Sequence, residues 1–236
     1  MAPKSSSTRE RDLVIAIDGP AGSGKSTIAK GVAKALGLRR LDTGAMYRAL
    51  TLRAVRAGIS PDDARSLAEL ARLTRFSYKD SDIRMNGRPL GDSIRSPEVS
   101  SVVSKVSAHR PVRKELVERQ REIIGNGGVV VEGRDIGTVV CPDADLKVFL
   151  TASPEERARR RHRELTDAGV KVPFTKLKKE QARRDTLDST RKASPLKPAD
   201  DAVRIDSTKK TPRQTVAEVV RLARAIRRER PRARGR

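Results

Sequence analysis

Tryptophan is absent from this 236-residue chain, which has only two tyrosines and three phenylalanines. Few rings are therefore available for the base stacking that single-strand nucleic-acid binders use. Histidine occurs only at His109 and His162, which argues against a Ser-His-Asp triad and a histidine-rich metal site. Cys141 is the only cysteine, so an internal disulfide is excluded and a reducing cytosol is favoured.

Long apolar runs are also missing. No stretch approaches the ~20 residues of a membrane span, and residues 1–12 contain nothing that resembles a signal peptide. We therefore expect a soluble, cytoplasmic protein that has no membrane partner. A chain of this length can bury a sizeable core in one or two domains.

Positive charge is abundant, and the formal net charge is +22. Residues 227–236 hold six arginines and one glutamate, and residues 155–192 hold thirteen basic and seven acidic residues. Such a surplus suggests a polyanionic partner, but solvated basic tails also produce it. We expect that nucleic acid is not required and that the basic tails bind it weakly at most.

The clearest motif begins with residues 14–18 (VIAID), an apolar run typical of a buried parallel strand. The next eight residues fit G-x-x-x-x-G-K-[ST], whose backbone N–H groups cradle phosphates. Lys25 is expected to reach the β- and γ-phosphates, and the Ser26 hydroxyl is expected to hold Mg²⁺. Residues 27–36 predict a helix whose N-terminus points at the anion. The predicted ATP-binding residues are Gly19, Pro20, Ala21, Gly22, Ser23, Gly24, Lys25, Ser26 and Thr27.

Strand and helix patterns alternate along the rest of the chain, which predicts an α/β protein with a parallel sheet. Period-two alternation at 76–79 and 83–86, joined by 80–82 and followed by an Asn-Gly turn, predicts a small antiparallel insert. We expect mobile tails at 1–12 and 228–236 and one domain at 13–227. The other predicted strands are 39–41, 129–131, 146–150 and 202–205. The predicted helices are 42–57, one from Pro61, 97–109, 111–125, 154 to about 184 with a break near 169–173, and 212–228.

Three further segments place arginines in turn-like or capping contexts: residues 42–48 (DTGAMYR), 132–138 (EGRDIGT) and 184–191 (RDTLDSTR). The guanidinium fork suits bidentate phosphate binding. A phosphate acceptor is largely dianionic near neutral pH, so it needs positioning and charge neutralisation and no histidine base. The pattern favours phosphoryl transfer to a phosphate, although any one of these arginines could be an ordinary surface residue.

Together these segments carry a resemblance. Residues 19–26, 42–48, 132–140 and 188–196, in this order and spacing, resemble the bacterial cytidylate kinases, a family of P-loop nucleoside monophosphate kinases, and the likeness runs from about 13 to 225. It implies the three-layer α/β fold of P-loop nucleoside kinases. That fold has a five-stranded parallel core sheet with helices on both faces, a small antiparallel insert and a helical lid. The monophosphate-binding segment would cover about 43–113 and the lid about 155–190. We expect a monomer.

The resemblance also implies an activity, namely Mg²⁺-dependent transfer of the ATP γ-phosphoryl group to CMP or dCMP. It implies that Arg48, Arg134 and Arg191 grip the acceptor phosphate and that Ser104, Arg113 and Asp135 read the cytosine. Asp188 and Arg184 would contact the sugar, and Thr43, where many members have serine, and Tyr47 are further substrate contacts. The implied catalytic residues are Lys25, Arg134, Arg184 and Arg191.

Some alternatives stay open at this point. Asp188 could form a helical ion pair with Arg191 three residues on, Asp135 could pair with its neighbour Arg134, and Ser104 could face solvent. Arginines within 157–163 form a solvated face of the lid or send one guanidinium to the transferring phosphoryl group. The chain could instead be a basic P-loop ATPase that binds nucleic acid, or a P-loop kinase for another monophosphate or a small metabolite such as shikimate.

Overall fold

The computed structural model describes residues 12–79, 82–167 and 169–229. The predicted tails therefore lie almost wholly outside the described residues, as does part of the connection at 80–82. The strands are β1 Val14–Asp18, β2 Arg39–Asp42, β3 Phe76–Lys79, β4 Asp82–Met85, β5 Arg88–Pro89, β6 Val129–Gly133, β7 Leu146–Thr151 and β8 Val203–Asp206. The α-helices are α1 Lys25–Leu36, α2 Thr43–Arg56, α3 Ala64–Arg72, α4 Pro97–Val106, α5 Arg110–Ile124, α6 Pro154–Asp167, α7 Phe174–Thr190 and α8 Pro212–Glu229.

A five-stranded parallel sheet in the order β2-β6-β1-β7-β8 forms the centre of the molecule. Every residue of β1 and β6 is buried. Both faces of these strands are covered, which is why their sequences are apolar runs without alternation. The predicted α/β fold with a five-stranded parallel core is confirmed.

The two faces of β1 belong to two hydrophobic cores. Ile15 and Ile17 pack with α1 and α8 on one side. Val14 and Ala16 pack on the other side with α2, α3, α4 and α5. The α1–α8 contact is close, because a Cβ added to Gly31 would lie 2.6 Å from Val216 Cγ2. The carboxyl ends of the strands therefore open between two layers of helices, where ligands bind in such folds.

A second, antiparallel sheet of β3, β4 and β5 interrupts the α/β order. It confirms the predicted insert and adds a short third strand after the Asn86-Gly87 turn. The Tyr78 hydroxyl donates a hydrogen bond to Asp42 O at 2.6 Å, so the insert is tied to the junction of β2 and α2.

Several predicted boundaries were wrong, for local reasons. The helix expected from Pro61 begins at Ala64, because the Asp63 side chain accepts a hydrogen bond from Ser66 N at 3.0 Å and acts as the N-cap. The helix expected to end near Arg184 continues to Thr190, so Arg184 lies inside α7 and not in a turn. Residues Ile136–Val140 form a short π-helix that the sequence did not indicate. Within the described residues, every helix is too short or too polar to traverse a lipid bilayer.

Candidate active site

The loop between β1 and α1 is shaped by glycines. Gly24 adopts a left-handed conformation, φ 91°, as the N-cap of α1. A Cβ on Gly19 would lie 2.0 Å from Leu150 O, so no larger residue fits there without movement of the backbone. The loop thus delivers its N–H groups and the positive end of α1 to one place, which is an anion-binding arrangement.

Lys25 lies at the base of this loop with only 7% of its surface exposed. Its Nζ donates a hydrogen bond to Pro20 O at 2.7 Å. Burial lowers the pKa of Lys25 well below its usual value, and the positive charges of Arg134 and Arg184 act in the same direction. Binding of a polyanion beside this buried ammonium would stabilise its charged form.

Ser26, predicted to hold Mg²⁺, donates a hydrogen bond from Oγ to Glu132 Oε2 at 2.7 Å. Arg40 Nη1 lies 3.0 Å from Glu132 Oε1, and burial raises the pKa of Glu132 to about 7. A hydroxyl beside a carboxylate provides the hard oxygen ligands that suit Mg²⁺. Among the described residues, no three His, Cys, Asp or Glu side chains cluster as a complete metal site. Bound Mg²⁺ would therefore need oxygens of the nucleotide as well.

Helices α6 and α7, which cover the segment predicted as a lid, contact the phosphate loop directly. Arg157 Nη1 donates to Ala21 O at 3.1 Å and Gln181 Nε2 donates to the same oxygen at 2.8 Å. Asp185 Oδ2 pairs with Arg157 Nη1 at 2.6 Å. Arg160 Nη1 lies 3.4 Å from Ser23 O. The arginines of 157–163 are therefore not merely a solvated face.

Several arginines from separate elements lie close enough together to shift one another's pKa. Burial, with the positive charges of Arg184, Arg95 and Arg161, lowers the pKa of Arg48 to about 9. Burial also lowers the pKa of Arg184 to about 10, with added repulsion from Arg134. Arg48 and Arg184 are therefore near each other in the fold, although more than one hundred residues separate them in the sequence. Together, these guanidinium groups form a positively charged region next to Lys25 that suits an anion.

Four buried guanidinium nitrogens at the site have no hydrogen-bond partner within the described ranges: Arg40 Nε, Arg113 Nε, Arg184 Nε and Arg191 Nη2, of which the last lies 3.6 Å from Asp135 Oδ1. Buried donors are almost always satisfied in folded proteins. Arg134 Nε, by contrast, pairs with Asp188 Oδ2 at 2.9 Å. Burial would raise the pKa of Asp188, but Arg134 and Arg184 hold it below its usual value. The unsatisfied donors call for further acceptor oxygens, which a phosphate supplies.

The far end of the cleft holds a buried ion-pair cluster around Asp135. Arg113 Nη2 binds Asp135 Oδ2, and Arg191 Nη2 lies 3.6 Å from Asp135 Oδ1. The Arg113 guanidinium lies over the Tyr47 ring, 5.4 Å from its centroid. Asp135 therefore pairs across the fold and not with its neighbour Arg134, and Asp188 pairs with Arg134 and not with Arg191.

Of the remaining predicted substrate contacts, Thr43 and Ser104 stand apart from this cluster, whereas Tyr47 belongs to it. The Thr43 hydroxyl donates to Glu132 O at 2.8 Å, inside the protein. Tyr47 is buried, and burial raises the pKa of its hydroxyl to about 12. Ser104 is half-buried on α4, and no hydrogen bond joins its hydroxyl to Arg113 or Asp135 in the described part of the chain.

Several residues at this site were not predicted from the sequence. Glu132 was inside a quoted motif, and its position at the end of a buried strand could have indicated a role. Asp18 likewise ends β1. Arg157 and Gln181 lie in charged helical sequence that gives no comparable signal.

Comparison with known proteins identifies the family. A family model described as cytidylate kinase matches residues 15–225. The chain belongs to the cytidylate kinase family. The cytidylate kinase of Carboxydothermus hydrogenoformans is 48% identical over 212 residues, covering 88% of this chain and 96% of that protein. That of Desulfitobacterium hafniense is 50% identical over 202 residues, covering 84% and 87%.

Solved structures give a more distant likeness. A gluconokinase from Sinorhizobium meliloti 1021 aligns with 94% of this chain and 100% of its own, at 18% identity and a TM-score of 0.46. The sequence comparisons therefore identify the family.

Proposed function

We propose that this protein transfers the γ-phosphoryl group of ATP to CMP or dCMP, which yields ADP and CDP or dCDP. The observation that carries the proposal is that Arg184, near Lys25, and Arg191, beside the Arg113–Asp135 pair, each have a buried guanidinium nitrogen that lacks a hydrogen bond. One end of the cleft suits a triphosphate, the middle a second phosphate, and the far end a base with both donors and acceptors.

On the donor side, the N–H groups of residues 19–27 and the Lys25 ammonium bind the ATP phosphates. Ser26, supported by Glu132, would hold Mg²⁺, which neutralises charge on the β- and γ-phosphates when bound. Lys25, which donates to Pro20 O in this structure, would neutralise charge that develops as the phosphoryl group leaves.

On the acceptor side, Arg48, Arg134 and Arg191 bind the monophosphate, with Arg184 beside them as a fourth cation. An oxygen of that phosphate attacks the γ-phosphorus and the bond to the ADP oxygen breaks. The acceptor is already largely dianionic near neutral pH, so no side chain has to remove a proton. We assign Asp188 and Arg184 to contact with the sugar.

Base selection follows from the Arg113–Asp135 pair. The Asp135 carboxylate accepts a hydrogen bond from the cytosine amino group, and Arg113 donates to the ring N3 and O2. Uracil presents the opposite donor and acceptor at positions 4 and 3, so the buried pair would be left unsatisfied. Ser104 is assigned to the same base contact. We further propose that the enzyme acts as a cytoplasmic monomer.

The test is ADP release with ATP and Mg²⁺ against a panel of CMP, dCMP, UMP, AMP, GMP and no acceptor. Rapid turnover confined largely to CMP and dCMP is the expected result. Comparable ADP release in the absence of an acceptor would favour a nucleic-acid-dependent ATPase, and activity with none of the panel would favour a kinase for another small molecule.

A further inference from the structure

Asp18, the last residue of β1, is 5% exposed and lies behind the loop that carries Arg134 and Asp135. Its Oδ1 accepts a hydrogen bond from Ile136 N at 2.8 Å, and its Oδ2 accepts one from Gly137 N at 2.8 Å. These two N–H groups are the first in the π-helix Ile136–Val140. A carboxylate from one strand therefore binds the start of a helix that follows the neighbouring strand.

Asp135 occupies the N-cap position of this π-helix, but its side chain does not cap it. An aspartate at an N-cap commonly accepts a hydrogen bond from an N–H group two or three residues on. The Asp135 carboxylate instead pairs with Arg113 and Arg191. Because Asp18 satisfies the N–H groups, the Asp135 side chain is left to face the cleft.

The register of the sheet places Asp18 for this task. Asp18 pairs with Gly133 of β6, the residue before Arg134, and Gly19 of the phosphate loop follows it directly. One carboxylate thus ties the loop that binds the donor to the loop that binds the acceptor. A cap supplied from β1 fixes the distance between them better than a local cap would.

We propose that Asp18 is a positioning residue for acceptor recognition, which caps the 136–140 helix in place of Asp135 and so holds Arg134 and Asp135 at the acceptor phosphate and base. The inference rests on the proposed function, because that function gives Arg134 and Asp135 their roles. Both oxygens of the Asp18 carboxylate accept hydrogen bonds from the backbone, so Asp18 would act through Arg134 and Asp135.

The charged groups that act on Asp18 are Asp135 from the loop after β6 and Lys25 from α1. From β7, the aliphatic part of Lys147 packs near Gly137, and its ammonium pairs with Asp201 at 2.8 Å. Burial raises the pKa of Asp18 to about 6, Asp135 adds to the rise, and the two N–H bonds and Lys25 oppose it. A proton on either oxygen would replace an acceptor by a donor that faces an N–H group. The cap therefore weakens as pH falls through about 6.

The direct test is Asp18→Asn, which keeps the shape of the side chain but turns one of the two acceptors into a donor. We expect kcat/KM for CMP to fall at least about tenfold, because small displacements of positioning groups have large kinetic effects. The preference for CMP over UMP should also fall at least about fivefold, since Asp135 is no longer fixed. The KM for ATP should change less than about twofold. Asp201→Asn, which removes an exposed partner of Lys147, is the matched control and should leave all three unchanged.

A second measurement uses the unaltered protein, in case the variant does not fold. The ratio of kcat/KM for CMP to that for UMP is determined between pH 5.5 and 8. The phosphate common to both acceptors cancels from this ratio. We expect the ratio to fall as pH drops through about 6, and in Asp18→Asn to stay flat over the same range.

The proposal is overturned if folded Asp18→Asn keeps the normal preference, or if its loss is shared equally by ATP, CMP and UMP. If the variant does not fold, a constant CMP-to-UMP ratio in the unaltered protein overturns it instead. Failure of the proposed function looks different, because the unaltered protein would then phosphorylate neither CMP nor UMP.

Discussion

In the proposed function, the donor side and the acceptor side of the cleft would bind phosphate with different parts of the chain. On the donor side, one run of nine residues, 19–27, supplies backbone N–H groups from every residue but Pro20, together with the buried Lys25 and the Ser26 hydroxyl. On the acceptor side, guanidinium groups come from α2, the loop after β6, α7 and the residue that follows α7. A backbone site is fixed by the fold of one loop, whereas a side-chain site depends on counter-charges to hold its cations in place.

On the acceptor side, two carboxylates, Asp135 and Asp188, hold the guanidinium groups in place. Asp188 holds Arg134, and Asp135 holds Arg113 and Arg191, all in buried or half-buried positions. Removal of one partner from a buried pair leaves an uncompensated charge, which is costly. The acceptor side should therefore be more sensitive to substitutions of its carboxylates than the donor side is to substitutions on the surface of α1.

The largest effect is expected on the donor side, from Lys25→Ala. We expect kcat to fall by about 10³-fold or more, because the variant loses the only ammonium that the loop supplies to the transferring phosphoryl group. Circular dichroism should show an unchanged fold. Lys30→Ala, on the exposed face of α1, is the control and should retain full activity. Normal turnover by Lys25→Ala would show that the phosphate loop is not the donor site.

On the acceptor side, Arg191→Ala should lower kcat/KM for CMP by about 10²-fold, since the lost guanidinium would bind the phosphate as its charge changes. It should leave the KM for ATP nearly unaltered. Steady-state kinetics with each substrate varied in turn provide the measurement. Arg183→Ala, which removes an exposed arginine of α7, should behave like the unaltered protein. Equal losses toward ATP and CMP would contradict the division into two sides.

Asp135→Asn tests the base-reading end. The amide can rotate to present either a donor or an acceptor, so it no longer rejects uracil. We expect the ratio of kcat/KM for CMP to that for UMP to fall at least about tenfold. An unchanged ratio, measured with both acceptors under the same conditions, would remove Asp135 from the recognition of the base.

Glu132→Gln gives the smallest expected effect, on stability. The raised pKa of Glu132, about 7 in the folded protein, means that the folded state binds a proton more tightly than the unfolded state. The associated stabilisation is present below about pH 4.5 and is lost as pH rises through about 7. The free energy of unfolding should therefore decline less between pH 5.5 and 7.5 in the variant, by roughly 1–3 kcal/mol. Urea titrations at several pH values measure this, and identical slopes would contradict it.

The comparison also explains what could be predicted from the sequence. The phosphate loop could be predicted because its strand, loop and helix are contiguous in the sequence. The buried strands could be predicted because strands of a parallel sheet are continuous apolar runs. On the acceptor side, the arginines were found through motifs, but their partners were not. Asp135 pairs with Arg113 and Asp188 pairs with Arg134, 22 and 54 residues away, and local spacing suggested nearer partners.

Other features were missed because they depend on tertiary contacts alone. The cap of the π-helix comes from Asp18, more than one hundred residues earlier. Arg157 and Gln181 donate to Ala21 O only because α6 and α7 pack against the phosphate loop. Such contacts leave no periodic signal in the sequence, since a single polar residue in a charged helix is unremarkable.

The measurement that tests the central claim most directly is calorimetric titration of CMP and of cytidine into the unaltered protein and into Arg48→Ala. Arg48 lies among the cations that lower its pKa, and it has no assigned contact with the base. If arginine side chains form the acceptor-phosphate site, the variant should bind CMP at least about tenfold more weakly while its affinity for cytidine changes less than about twofold. Equal weakening of both ligands, or of neither, would contradict the account.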